Sequence, residues 1–218
     1  MDTSIKQKQS TFDYHQLLLS WFSPSFPIGS FNFSHGLEAA IEFKFVYDKF
    51  TLEEWIKHLI INGSGKTDSI LLANSYEGKY VNELAFALCA SKERWTETLN
   101  LGKAFCKNIN DNWNFEIDKN LAYPVAVGKA GKYFKIPLEK LLIAFLQSFS
   151  SNLINVGIKH IPLGQSEGQK ILINFLPVIE KQANIYQTAH VNDLGSSAFL
   201  SDLSSMYHET LNNRIYQT

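Results

Sequence analysis

From Ile136 to Ile158 the chain passes through its most apolar window, where Leu138, Leu141, Leu142, Phe145, Phe149, Leu153 and Val156 recur at helical spacing. A helix with so broad an apolar stripe is stable in water only when other elements cover it. Glu139, Lys140, Gln147, Asn152, Asn155 and several serines interrupt the window. It therefore reads as the buried central helix of a soluble protein rather than a bilayer span. Elsewhere no run alternates with period two or is rich in β-branched residues, and helical periodicity returns repeatedly. The expectation is an all-α fold: a single compact domain of about eight to ten helices over residues 11–218, behind a disordered tail of residues 1–10.

The spacing predicts a short helix within Phe12 to Phe22 and another from Ser34, with Leu37, Ala40, Ile41 and Phe45 on its apolar side. Thr51 and Glu54 have the form of a capping box at the head of a helix carrying Leu52, Trp55, Ile56, Leu59 and Ile60, with Gly63 as its C-cap. A shorter helix is expected from about Asp68 to Tyr76, then a long one from Val81 through Phe105. That long helix would hold Cys89 and Cys106 about 25 Å apart, beyond disulfide reach. Pro124 suits the first turn of a helix at Tyr123 to Tyr133, and Pro137 the first turn of the central one. Pro177 is expected to cut the run that begins after Gly164, and Phe199, Leu203, Met206 and Leu211 to share a last helix.

A net charge of -1 with evenly scattered lysines gives no footprint for nucleic acid or an anionic membrane. The polar N-terminus MDTSIKQKQS lacks a secretory signal, so the cytoplasm is the expected compartment. Gly63-Ser64-Gly65-Lys66-Thr67 ends like a phosphate loop, but Ile60 stands where that pattern requires glycine and the segment follows a helix instead of a strand. It is read as a helix-to-helix turn. No nucleophile, base and orienting group assemble from the sequence, so neither catalytic residues nor a cofactor are expected. His35, Glu38 and Glu42 fall at i, i+3 and i+7 and could offer a metal three ligands, which keeps open a nickel or zinc carrier or a metal-dependent enzyme. A polar face at an interface is the competing reading. Only two arginines occur, Arg94, read as a surface pair with Glu93, and Arg214, which stands among large apolar residues near the end as a partner's anchor would.

The stretch from Ser23 to Glu42, SPSFPIGSFNFSHGLEAAIE, carries more aromatic surface than a solvated loop holds. It resembles the S-P-x-x-P-x-G-x-F/Y-x-x-S-x-G-L-E pattern of the UreF family of urease accessory proteins. CASKERWTETLNLGKAF, YPVAVGKAG, PLGQSEGQ and the closing DLSSMYHETLNNRIYQT extend the resemblance from about Leu17 to the end. Departures are confined to Ile215, where leucine is usual, and Gln217-Thr218, where many members have Arg-Ser. The resemblance implies an all-helical, dimer-forming, non-catalytic chaperone. Such a protein bridges the accessory protein UreD (also called UreH) and the GTPase UreG, and through them delivers nickel to apo-urease. It also implies partner-binding candidates: Pro27, Ile28, Gly29, Ser30, Phe31, His35, Glu38, His208, Glu209 and Arg214.

Overall fold

The computed structural model describes residues 13–218; the expected disordered tail of residues 1–10 lies outside them. Among the described residues there is no strand, and ten α-helices follow one another: α1 (Tyr14–Trp21), α2 (Leu37–Glu42), α3 (Lys49–Asn62), α4 (Ser64–Tyr76), α5 (Asn82–Ala87), α6 (Lys92–Asn112), α7 (Tyr123–Tyr133), α8 (Leu138–His160), α9 (Gln165–Tyr186) and α10 (Phe199–His208). The all-α expectation holds. α8 is the central helix, with Leu141, Leu142, Leu146 and Leu153 fully or almost fully buried. By length and hydropathy alone it could cross a bilayer, yet half of its most apolar window lies inside the fold.

Several boundaries differ from the sequence reading, each for a local reason. α2 does not begin at Ser34, because His35 (φ 59°) and Gly36 (φ 76°) both adopt left-handed backbone. It ends after six residues in a Schellman motif: Phe45 N–H bonds to the Ala40 carbonyl and Lys44 N–H to that of Ile41, with Lys44 left-handed. The capping box of α3 lies three residues earlier than expected, between Asp48 and Thr51. Ser64 to Thr67, expected as a turn, form the first turn of α4, which Gly63 joins directly to α3. The single helix expected from Val81 to Phe105 is two: Ser91 takes extended backbone and its hydroxyl accepts the Arg94 N–H, starting α6 afresh. Cys89 thus lies between helices, and it and Cys106 are both free thiols. α9 continues through Pro177, whose exposed position lets water meet the carbonyl that the proline leaves unpaired, while Phe175 and Ile179 stay buried on either side. α10 stops at His208, so Leu211 lies beyond it.

The core closes around Trp21, whose ring meets Phe105 (5.4 Å) and Phe134 (5.5 Å) edge-on, tying α1 to α6 and to the end of α7. Behind it α7 packs on α4 through Gly128, where a methyl group would run into the Leu72 carbonyl and the Ser75 side chain. This approach explains the small-residue composition of α7 despite the helix propensity that glycine forfeits. Gly128→Ala is expected to destabilise the fold by about 1–3 kcal/mol in urea denaturation, whereas Gly164→Ala, in open space, should change it by less than about 0.5 kcal/mol.

Candidate functional site

The loop between α1 and α2 is shaped by its own punctuation. Gly29 takes φ 73°, and Ser30 to Asn32 form one 3-10 turn. Ile28 packs on the core, Phe33 is buried, Pro27 is exposed, and Asn108 of α6 donates to the Pro27 carbonyl (3.3 Å). Asn152 of α8 fixes the far end by donating to the Phe33 carbonyl (3.1 Å). Phe31 is left 62% exposed. Between this loop, α1 and α8 runs a groove of about 500 Å³ lined in part by Leu19, Phe22, Pro24, Phe31 and Asn155.

The C-terminal segment after α10 lies against the same loop. The Gln217 N–H donates to the Asn32 carbonyl (2.8 Å), and Ser34 gives both its N–H (2.7 Å) and its hydroxyl (2.5 Å) to the Thr218 carbonyl. Glu38 accepts the N–H groups of Ile215 (2.8 Å) and Tyr216 (3.1 Å). Tyr216 is buried beside His160, and Ile215 projects outward at 75% exposure. Two sequence blocks at opposite ends of the chain therefore form one surface.

Beneath that surface lies a network of buried charge. His208, fully enclosed at the end of α10, is held between Glu93 (2.7 Å) and Glu38 (2.9 Å), and Glu93 also accepts from Arg214 (2.9 Å). His35 bonds to Glu97 (3.2 Å) and Ser64 (2.5 Å), and Glu97 accepts in addition the Thr218 hydroxyl (2.9 Å). Arg94 is 9% exposed and pairs with Glu97 (2.7 Å) and Asp68 (3.4 Å). Ser91 and Ser205 are hydrogen-bonded, and Gly36 lies so close to the Ser205 backbone that a side chain there would clash. Burial alone would raise the pKa of Glu97 and Glu38. Arg94 and His35 overrule it for Glu97, holding that carboxyl far below the usual range, and bonds from His208, Ile215 and Tyr216 lower Glu38. At Asp68 and Glu93 burial wins and the pKa lies above the ordinary value.

The sequence candidates thus separate into two groups. Pro27, Phe31, Glu209 and the end of Arg214 reach solvent, with Ile28, Gly29 and Ser30 half-buried behind them. His35, Glu38 and His208 are enclosed and bonded within the chain, so they support the surface from below rather than line it. The metal reading loses its geometry. His35 lies outside the helix and turns to Glu97, Glu38 turns to His208, and Glu42 is exposed. Among the described residues no three His, Cys, Asp or Glu side chains are grouped to hold a metal ion. Arg94 is a correction: it is no surface pair with Glu93 but the buried centre of the network. Asp68, Glu93, Glu97 and Ser64 were missed by sequence reasoning. The signal for Glu97 was present, since it falls with Arg94 on the helical face that Leu101 and Phe105 continue inward.

The UreF family model matches residues 46–176. The urease accessory protein UreF of Cereibacter sphaeroides is 38% identical over 204 residues, covering 92% of this chain and 97% of its own length. The chain belongs to the UreF family. The UreF proteins of Ruegeria pomeroyi (37% identical over 207 residues, covering 92% of this chain and 95% of the relative) and Roseobacter denitrificans (35% over 206 residues, 92% of each) are similarly close. This UreF-family chain is therefore a urease accessory protein whose buried polar network secures its own last five residues.

Two outcomes follow from the network. Arg94→Ala removes the cation shared by buried Glu97 and half-buried Asp68 and is expected to cost about 3–5 kcal/mol in urea denaturation, against less than about 1 kcal/mol for Lys57→Ala at the exposed Lys57–Glu54 pair. Because the folded pKa of Glu38 is depressed, its contribution is complete above the ordinary glutamate pKa and lost as pH falls through the lower folded value. On the acid side, amide-exchange protection at Ile215 and Tyr216, corrected for intrinsic rates, should therefore persist as pH falls through the ordinary glutamate range and be lost only below it.

Proposed function

We propose that this chain is a non-catalytic scaffold of urease maturation that docks the accessory protein UreD/UreH and the GTPase UreG in the cytoplasm, acting as a homodimer, so that nickel is handed to apo-urease. The observation that carries the reading is the meeting of the aromatic loop and the C-terminal segment in one surface, from which Phe31 and Ile215 project while hydrogen bonds behind them fix the backbone. A binding surface gains affinity when large apolar groups are presented on a backbone already ordered, because less freedom is lost on association. Leu19, 76% exposed on α1 across the groove, adds a third apolar contact. The buried charges supply rigidity and no reacting group: Cys89, the thiol nearest the network, has its pKa pushed up to about 11 by burial and is not an activated nucleophile at neutral pH.

Within this reading Pro27, Ile28, Gly29, Ser30, Phe31, Glu209 and Arg214 act at the interface, and His35, Glu38 and His208 act by holding it in shape. Phe31→Asp and Ile215→Asp are each expected to leave the fold intact and reduce capture of UreD/UreH by at least about tenfold in co-purification from cells expressing the accessory proteins. Undiminished capture by both variants, or urease that is fully active without this chain, would contradict the proposal.

A further inference from the structure

The two histidine sites differ in their demand for protons. His35 can donate from Nδ1 to the Glu97 carboxylate and accept the Ser64 hydroxyl at Nε2, a set that a neutral imidazole satisfies. His208 has no such choice. Both of its ring nitrogens face carboxylate oxygens, Glu93 at 2.7 Å and Glu38 at 2.9 Å, and none of the residue is exposed. A neutral ring has one N–H and an ionised carboxylate only accepts, so the full set of bonds requires one further proton, on the ring or on Glu93.

The surroundings accommodate that proton. Glu38 comes from α2 and also receives two N–H groups of the tail, and Glu93 comes from α6 and also receives Arg214 of the tail. Glu209, next to His208 at the end of α10, adds negative charge near Glu93, and the C-terminus of α10 itself favours a cation at its last residue. Two carboxylates thus face one imidazole, with Glu209 and the helix C-terminus adding negative potential beside them, and among the described residues Arg214 is the other cation bonded to the cluster.

We propose that His208, Glu38 and Glu93 form a proton-operated clamp on residues 209–218: with the extra proton the tail lies on the loop, and without it the tail is released. The physical reason is that loss of the proton leaves a carboxylate facing a ring lone pair out of water, which costs more than letting the carboxylates regain solvent. Docking takes up a proton, so it is complete at lower pH and weakens as pH rises past the point where the clamp gives its proton up. Above that point the ratio of docked to free tail falls by about tenfold per pH unit. Together with the acid limit set by Glu38, docking is confined to a band of pH. The clamp stands on its own geometry. Where the docking role of the surface also holds, partner capture follows the same titration.

The test uses the full-length, isotope-labelled chain, followed by NMR from about pH 6 to about pH 9. The expected result is loss of the docked Ile215 and Tyr216 amide signals on the alkaline side, at about one proton per molecule, together with a change in the His208 ring-nitrogen shifts. In Glu93→Gln the carboxamide can donate to His208 Nδ1 and still accept from Arg214, so a neutral ring suffices and the tail should stay docked through the alkaline range. A wild-type tail that remains docked throughout, or a Glu93→Gln tail released at the wild-type pH, would overturn the clamp. The wild-type titration decides alone should the variant fail to fold.

Discussion

Two buried carboxylates, Glu38 and Glu97, organise this molecule, because a charged acceptor taken out of water must be met by donors and here the donors come from distant parts of the chain. Glu97 gathers Arg94, His35 and the hydroxyl of Thr218, and Glu38 gathers His208 and two tail amides. The loop, α4, α6, α10 and the last residues are thereby made mutually dependent. An apolar contact would tolerate sliding by a residue. A carboxylate with each oxygen assigned to particular donors does not, and this fixes the register of a tail that has no secondary structure of its own.

The apolar groups complement that arrangement. α10 turns Ser201, Ser204, Ser205 and His208 inward and leaves Phe199, Leu200, Met206 and Tyr207 exposed, the reverse of an ordinary amphipathic helix. Phe43, past the end of α2, lies 5.4 Å from Tyr207. Polar chemistry therefore holds this end of the fold together while apolar side chains face solvent, an inversion that fits the proposed docking role. Of His35 and Glu38, which sequence reading placed at an interface, Glu38 receives the tail of its own chain, while His35 bonds to Glu97 and Ser64.

What was legible in the sequence was whatever local periodicity decides. The central stripe of α8, the small-residue helix that begins at Pro124 and the absence of strand patterning follow from spacing alone, and the motif blocks carried the family. What was not legible depended on long-range contact or on backbone sign. Nothing local announces that His35 is left-handed, so its spacing to Glu38 imitated a helical face. The apolar period runs across Cys89 without interruption, so the restart of α6 at Ser91 was hidden. The burial of Arg94 rests on Asp68, 26 residues away and on another helix. A tail with Asn212, Asn213 and Arg214 reads as solvated until the carboxylates that receive it are seen.

The central claim is that the loop of residues 23–36 and the tail of residues 209–218 act as one docking surface built on the buried network. Hydrogen exchange on the full-length chain, alone and saturated with UreD/UreH, tests it most directly. The account predicts that both segments gain protection together on partner binding. Protection confined to another face, such as exposed Ile173 and Leu176 of α9, with both segments unchanged, would contradict it.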